Sequence, residues 1–285
     1  MNNKVIVTIA IGDLHYRAWK KYAAKSWELY AAKHGYDLIC LQNPLDVSER
    51  AKKRSVSWQK CLILQDEKIQ GYDRVVWLDS DIIINHSTAP CIVSAVSEDL
   101  IGVVNAWEHY RVADYQLIQQ RMVGYCKRHN LPFYSTGKQY FTDYGLPGIS
   151  EKAVQGGVLV LNPKRHSKLL KKVYENYEDG RPAYWHYEMR PLSYEIILNN
   201  VSQWMDSRFN YVVENAKLAE YYHRLPENYL ERIARIVKIK GYKLLALFGI
   251  RFWQEELIGK ALLRGYFIHF AGNAKEMVFA ERLVK

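Results

Sequence analysis

Val75-Val76-Trp77-Leu78-Asp79-Ser80-Asp81 is the stretch of sequence from which the fold class follows. Its first four residues are apolar, and a short continuous run of this kind predicts a strand buried on both faces of a sheet. Two carboxylates then follow at the carboxyl end of the predicted strand. Hard carboxylate oxygens so placed can share one divalent cation, Mg²⁺ or Mn²⁺. The alternative is the common one for a D-x-D triplet, in which the acids cap a loop or a helix.

Further apolar segments alternate with helical patterns along the chain. The predicted strands are 5–11, 36–41, 75–78, 100–104 and 158–161, and the predicted helices cover 19–35, 58–71 and 163–177. Strands that alternate with helices predict an α/β fold, with a mostly parallel sheet and helices on both faces. Ligands of such sheets bind outside the carboxyl ends of the strands. The sequence places Asp79 and Asp81 at this edge.

Composition narrows the classes of function. The chain has 285 residues, of which 49% are hydrophobic and 25% charged, as expected of a folded globular protein. Its net charge of +10 favours anionic partners such as nucleotide phosphates. Nucleic-acid binding is not expected, because the sequence lacks a dense basic patch with interleaved aromatic residues. No G-x-G-x-x-G follows the first strand and no G-x-x-x-x-G-K-[ST] occurs, which argues against dinucleotide and P-loop sites.

A second candidate segment lies near the C-terminus, Phe267-Ile268-His269-Phe270-Ala271-Gly272-Asn273-Ala274-Lys275. A histidine between apolar residues is usually part of a core, and that is the alternative here. As a ligand, His269 would supply a nitrogen and shift the preference from Mg²⁺ toward Mn²⁺. Gly272 would let the backbone approach a phosphate, and Lys275 would supply a point charge for it.

Together these motifs resemble a known pattern. The chain is similar to the retaining GT-A glycosyltransferases of the glycogenin and lipopolysaccharide-galactosyltransferase type (family eight), and to the galactosyl- and xylosyltransferases of family thirty-four. Lys60, nineteen residues before Asp79, matches a basic residue of that pattern. Gln155 to Asn162 fits the frame N-S-G-V-x-x-x-N, and His269, Gly272 and Lys275 match H-x-x-G-x-x-K.

The resemblance implies a nucleotide diphosphate sugar as donor, UDP-linked in the usual case, and Mn²⁺ or Mg²⁺ as cofactor. It implies a metal site of Asp79, Asp81 and His269, with Lys60 and Lys275 at the diphosphate. Gln155 and an acid would orient the donor sugar. The remaining donor-binding positions are Thr8, Ala10 and Ile11 beside the nucleobase, with Ser80, Gly156, Gly157 and Gly272.

Two departures from the family pattern matter. Gln155 stands where asparagine is usual, and the acidic D-Q pair expected about thirty residues later has no complete match. Glu188, followed by Met189, is the preferred candidate for the acid that holds the sugar hydroxyls. Glu195 is the rival alignment, and the alternative for Glu188 is a carboxylate at a helix N-terminus, since Pro191 suggests that a helix starts there.

The sequence predicts two regions. Residues 1–225 form the nucleotide-sugar-binding domain, with a partly helical insertion at 110–146 over the site. Residues 226–285 form a basic helical segment that returns the H-x-x-G-x-x-K motif to the site. Its part 226–265 would either dock on a membrane face or pack as a helical cap. A glycan or glycolipid is the expected acceptor.

A cytoplasmic protein is expected, because there is neither a leader-like N-terminus nor a run of about 18 apolar residues. Two other functions fit some of the motifs. A Mg²⁺-dependent phosphatase or nucleotidyltransferase could use the paired aspartates, although D-x-D phosphatases place the nucleophile after the first strand. A non-catalytic carbohydrate-binding protein could share the fold, but sugar binding alone does not require a diphosphate clamp.

Overall fold

The structure, a computed structural model, describes residues 3–110, 112–129, 134, 136–179, 187–220 and 254–280. The strands are β1 (Lys4–Ile9), β2 (Asp37–Leu41), β3 (Arg74–Leu78), β4 (Ile82–Ile84), β5 (Ile101–Asn105), β6 (Val154–Leu161), β7 (Ser202–Trp204), β8 (Tyr211–Val212) and β9 (Phe267–His269). The α-helices are α1 (Asp13–Tyr22), α2 (Ala24–His34), α3 (Glu49–Lys52), α4 (Glu67–Gln70), α5 (Val112–His129), α6 (Gly137–Tyr144), α7 (Pro163–Asn176), α8 (Met189–Leu198), α9 (Val213–Glu220) and α10 (254–264). Short 3₁₀ helices cover Val56–Gln65, Ile92–Ala95, Ser207–Asn210 and Ala274–Phe279.

Six strands form the central sheet in the order β2-β1-β3-β6-β5-β7. β1 is parallel to β2 and β3, and β5 is parallel to β7. β6 is antiparallel to both of its neighbours, β3 and β5. Five strands therefore run in one direction and β6 runs against them. The predicted mostly parallel sheet is confirmed, with β6 as its exception.

Helices cover both faces of this sheet, as the apolar run in β3 predicted. All five residues of β3 are buried. Val76 and Leu78 pack with Trp27 of α2 on one face. Val75 and Trp77 pack on the other face, in the core that also holds Trp58 and residues of α7 and α8. Burial on two faces explains why the strand lacks polar alternation, and the predicted α/β class is confirmed.

A small second sheet in the order β4-β9-β8 brings the C-terminal motif to the acidic triplet. β4 begins directly after Asp81, and β9 pairs with it antiparallel so that His269 lies opposite Ile82. β8 pairs with β9 in parallel, with Val212 opposite His269. Residues far apart in sequence thus meet at one edge.

Some predicted elements differ in detail. The helix expected over 58–71 is a 3₁₀ helix followed by α4, and the two are separated by Asp66, whose carboxylate accepts a hydrogen bond from the Lys68 amide at the start of α4. The helix expected over 19–35 is divided at Ala23 into α1 and α2. It ends at Gly35, as predicted, with a left-handed φ of 70°.

The predicted insertion at 110–146 contains α5 and α6. The basic segment expected from 226 lies mostly outside the described residues, which resume at 254 with α10. Among the helices that the structure describes, none combines the length and the hydropathy that a bilayer crossing requires.

Candidate active site

Asp79, Asp81 and His269 converge just beyond the carboxyl end of β3. One potential ligand atom from each lies within 4.8 Å of the other two. Nε2 of His269 is 3.3 Å from Oδ1 of Asp81 and 3.8 Å from Oδ2 of Asp79. The three predicted metal ligands are therefore in one place, although 188 residues separate the second from the third.

Backbone hydrogen bonds fix this arrangement. The amide of Asp79 donates to the carbonyl of Gly157 in β6 at 2.9 Å, and the amide of Phe270 donates to the carbonyl of Asp81 at 3.0 Å. The indole Nε1 of Trp77 also donates to Oδ1 of Asp79 at 2.9 Å. The acidic triplet is held by β6 on one side and by the segment after β9 on the other.

Gly157 leaves the space that His269 occupies. A Cβ atom at position 157 would lie 2.4 Å from Cε1 and 2.8 Å from Nδ1 of the imidazole. Both distances are below any ordinary carbon contact, so no side chain fits beside the ring in this position. Gly157, the second of the two adjacent glycines in β6, is thus a steric requirement of the site.

Lys60 and Glu188 form a buried ion pair next to the aspartates. Their charged atoms are 2.8 Å apart, and each side chain is 5% exposed. Nζ of Lys60 also lies 3.1 Å from Oδ1 of Asp79 and 3.1 Å from the Gly156 carbonyl. Burial alone would lower the pKa of Lys60, but the carboxylates of Asp79 and Glu188 outweigh it and raise the pKa. Three acceptors match the three N–H donors of the ammonium, so in this structure Lys60 organises the two acids, and its diphosphate contact stays a prediction.

Glu195, the rival of Glu188, has different neighbours. Its carboxylate accepts hydrogen bonds from Lys172 at 2.8 Å and from the hydroxyl of Tyr177 at 2.6 Å. Asn199 also donates to it, at 3.1 Å. These contacts tie α8 to α7 and to the segment after it, whereas Glu188, at the start of α8, faces Lys60.

The electrostatics of the site suit a cation. Burial raises the pKa of Asp81, but the neighbouring His269 more than offsets it, so that the net shift is downward. Burial lowers the pKa of His269, and the nearby Asp81 and Asp79 outweigh it, so that the net shift is upward. An imidazole facing two carboxylates favours a positive charge between them, either a proton or a metal ion. Two carboxylate oxygens and one imidazole nitrogen form a donor set that fits Mn²⁺ or Mg²⁺, with Mn²⁺ favoured by the nitrogen.

The other predicted donor-binding residues lie around this edge. Val7 pairs with Trp77, so Thr8 near the end of β1, and Ala10 and Ile11 just after it, lie alongside the end of β3. Thr8 and Ala10 are buried. Gly272, with φ 73°, and Lys275 are exposed in the turn and the 3₁₀ helix that follow β9. Ser80 lies between the two aspartates.

One residue of the site was missed by sequence analysis. Oδ1 of Asn210 lies 2.8 Å from Nδ1 of His269, and Nδ2 of Asn210 donates to Oε1 of Gln155 at 2.7 Å. Asn210 ends a 3₁₀ helix before β8, in the unremarkable stretch Ser207-Arg208-Phe209-Asn210. No motif in the sequence marks it. A cleft lies beside Asn210 and Gln155, lined also by Asn105, His109, Tyr110 and Asn215.

Comparisons with known proteins agree with this architecture. No family model matches the chain, and no curated protein matches it. Among solved structures, it is similar to a glycosyltransferase involved in the glycosylation of the major capsid of PBCV-1, with 14% identity, a TM-score of 0.50, and coverage of 96% of this chain and 98% of that one. It is also similar to the bifunctional glycosyltransferase WbbM in its apo form, at 12% identity over 99% of this chain and 51% of that one, with a TM-score of 0.46. A third similar structure is the galactosyltransferase LgtC in complex with donor and acceptor sugar analogues, at 15% identity over 78% and 81%, with a TM-score of 0.43.

The match along almost the full length of the first of these structures identifies the GT-A fold of glycosyltransferases. The fold implied by the sequence motifs is confirmed.

Proposed function

We propose that the protein is a metal-dependent glycosyltransferase. It moves a sugar from a nucleotide diphosphate sugar, for which a UDP-sugar is the proposed donor, to an acceptor hydroxyl with retention of configuration. The observation that carries this proposal is the convergence of Asp79, Asp81 and His269 beside the Lys60–Glu188 pair. It lies at the carboxyl edge of a GT-A sheet, where ligands of α/β folds bind.

Each side chain has a role in this proposal. Asp79, Asp81 and His269 hold the metal ion, which, when bound, neutralises charge on the diphosphate. Lys275 adds a point charge for the same group. Glu188, paired with Lys60, accepts hydrogen bonds from hydroxyls of the donor sugar, and Gln155 contacts the same sugar. Backbone hydrogen bonds hold Asp79 and Asp81 in place, and groups positioned in advance stabilise developing charge without rearrangement.

Transfer then requires little covalent chemistry from the protein. The acceptor oxygen forms a bond to the anomeric carbon on the face from which the diphosphate departs. The bond from that carbon to the diphosphate oxygen breaks, and the proton of the acceptor hydroxyl passes to the departing phosphate. The protein contributes orientation and charge stabilisation, which account for most of the rate enhancement in such reactions.

The acceptor proposed here is a glycan or a glycolipid. Residues 110–146 and the basic segment 226–265 are the regions proposed to meet it, and peripheral contact with a membrane through the basic segment belongs to the same proposal.

The proposal is tested by transfer assays with a panel of UDP-sugars and Mn²⁺. We expect Asp79→Ala and Asp81→Ala to lower kcat by at least about 100-fold while the protein stays folded. Asp37→Ala, an exposed acid at the start of β2 on the opposite edge of the sheet, is the matched control. Wild-type turnover by either site variant would make the metal assignment wrong. Phosphate release without sugar transfer would favour a phosphatase instead.

A further inference from the structure

We propose that Asn210 is the positioning residue of this site, joining the metal ligand His269 to the sugar contact Gln155 and fixing the hydrogen-bonding direction of both. The inference rests on the proposed function, because the role of Asn210 depends on His269 as a metal ligand and on Gln155 as a sugar contact. Asn210 contacts both of these residues and neither aspartate. Asn210 is 5% exposed and His269 is 2% exposed, so their hydrogen bond is shielded from water.

The direction of the network is set by a backbone amide. The N–H of Gly157 can only donate, and it lies 2.6 Å from the side-chain amide of Gln155. The Gln155 atom that faces it must therefore be the oxygen, Oε1. Asn210 approaches the same oxygen at 2.7 Å, so the Asn210 atom involved must be the nitrogen, Nδ2. The orientations of both side-chain amides therefore follow from the N–H of Gly157, which can only donate.

The same logic fixes the tautomer of His269. With Nδ2 of Asn210 committed to Gln155, the atom that Asn210 turns toward His269 is Oδ1, at 2.8 Å from Nδ1. An amide oxygen only accepts, so Nδ1 carries the proton. Nε2, the nitrogen on the side of Asp79 and Asp81, is then the one whose lone pair is available to a metal ion.

The network also gives Gln155 a defined role. Its Oε1 already accepts from Gly157 and from Asn210. Its Nε2 makes no hydrogen bond to any residue that the structure describes, and Gln155 lines the cleft beside the site. Gln155 therefore meets the sugar as a donor, while Glu188 meets it as an acceptor. Asn210 thus places one ligand of the metal ion and one donor for the sugar through a single side chain.

Mn²⁺ binding to the protein without nucleotide, measured by calorimetry, tests the proposal through two pairs of variants. Asn210→Leu removes the acceptor for His269 and should weaken Mn²⁺ binding about 10–100-fold. Asn210→Asp keeps an acceptor for Nδ1 of His269 but loses the donor to Gln155, so it should weaken Mn²⁺ binding less than Asn210→Leu does. Gln155→Leu removes the anchor of Asn210 and should weaken binding, whereas Gln155→Glu keeps an acceptor oxygen and should not.

Asn215→Leu is the control for loss of an amide from the same cleft, and its Mn²⁺ affinity should equal that of the wild type. Histidine-selective ¹⁵N NMR of Asn210→Asp and of the wild type should show Nδ1–H on His269 in both, independent of any metal. Equal Mn²⁺ affinity in wild type and Asn210→Leu, or an Nε2–H tautomer in the wild type at neutral imidazole, would overturn the assignment. A wild-type protein that binds no Mn²⁺ would instead overturn the proposed function, with this inference included.

Discussion

Gly156 and Gly157 are adjacent in β6, yet their surroundings differ sharply. A Cβ at position 157 would meet the His269 ring at 2.4 Å, while one at position 156 would meet nothing closer than Cγ of Met189, at 3.4 Å. The first distance is a collision with the side of a buried ring, and the second is an ordinary contact. Alanine at each of the two positions therefore separates the effect of the close approach to His269 from the effect of an added methyl group in β6.

We expect Gly157→Ala to displace the imidazole from the two carboxylates. The change should cost about 1–3 kcal/mol of unfolding free energy through overpacking and weaken Mn²⁺ binding by at least about tenfold. Urea unfolding and calorimetry measure the two effects. Gly156→Ala should keep Mn²⁺ affinity near the wild-type value. If both variants bind Mn²⁺ equally well, His269 is not held as a ligand by this packing.

The sequence predicted the metal ligands because carboxylates at a strand end and a histidine three residues before a glycine are chemically conspicuous. Asn210 was missed because an asparagine at the end of a short 3₁₀ helix is ordinary, and 59 residues separate it from His269. Asn210 comes close to His269 only through the pairing of β8 with β9. Similarly, the glycine pattern was visible, but the reason for Gly157 required the position of the ring.

Helix α8 is the element that separates the two candidate acids. Glu188 stands at its N-terminal end beside Lys60, and Glu195 lies on the helix within reach of Lys172. One acid faces the site and the other faces α7. The helix thus carries a proposed sugar contact at one end and a packing contact further along.

Glu188→Gln and Glu195→Gln should have opposite consequences. Glu188→Gln should lower kcat by about 100-fold or more, because the amide no longer offers two acceptors for sugar hydroxyls. Glu195→Gln should cost about 1–3 kcal/mol of unfolding free energy, because a buried hydrogen-bonded charge is lost, and leave turnover near the wild-type value. Steady-state kinetics and urea unfolding of both variants measure this. The reverse pattern would assign the sugar contact to Glu195.

Among the elements, the long ones were predictable and the short ones were not. The apolar run of β3 and the helical spacing of α7 carry their own signal. β4 and β9 have three residues each, and their strand pairing is made within the small sheet that they form with β8. The direction of β6 could not be predicted from the sequence either, because a strand buried on both faces is apolar throughout whether it runs parallel or antiparallel to its neighbours.

At the scale of the whole molecule, a proton and a metal ion compete for Nε2 of His269, and this competition makes the stability of the protein depend on pH. The pKa of His269 is raised above 6.5 because the attraction of Asp81 and Asp79 outweighs the effect of burial. Without metal, this group contributes stability that is fully present below about pH 6.5 and is lost as pH rises through the folded-state pKa. A metal ion needs Nε2 unprotonated. The pKa of Asp81 is lowered, so the carboxylate stays ionised across this range.

The Mn²⁺-induced increase in Tm should therefore be small near pH 6 and grow toward pH 8, levelling off above the pKa of His269. Below that pKa each pH unit changes Mn²⁺ affinity by up to about tenfold, or about 1.4 kcal/mol, and Mn²⁺ bound to the native state alone raises its stability by the corresponding amount. Scanning fluorimetry with Mn²⁺ or with EDTA across this range measures the difference. Asp81→Asn should abolish both the increase and its pH dependence. An increase that is constant or falls toward pH 8 would show that the ion does not replace the proton on His269.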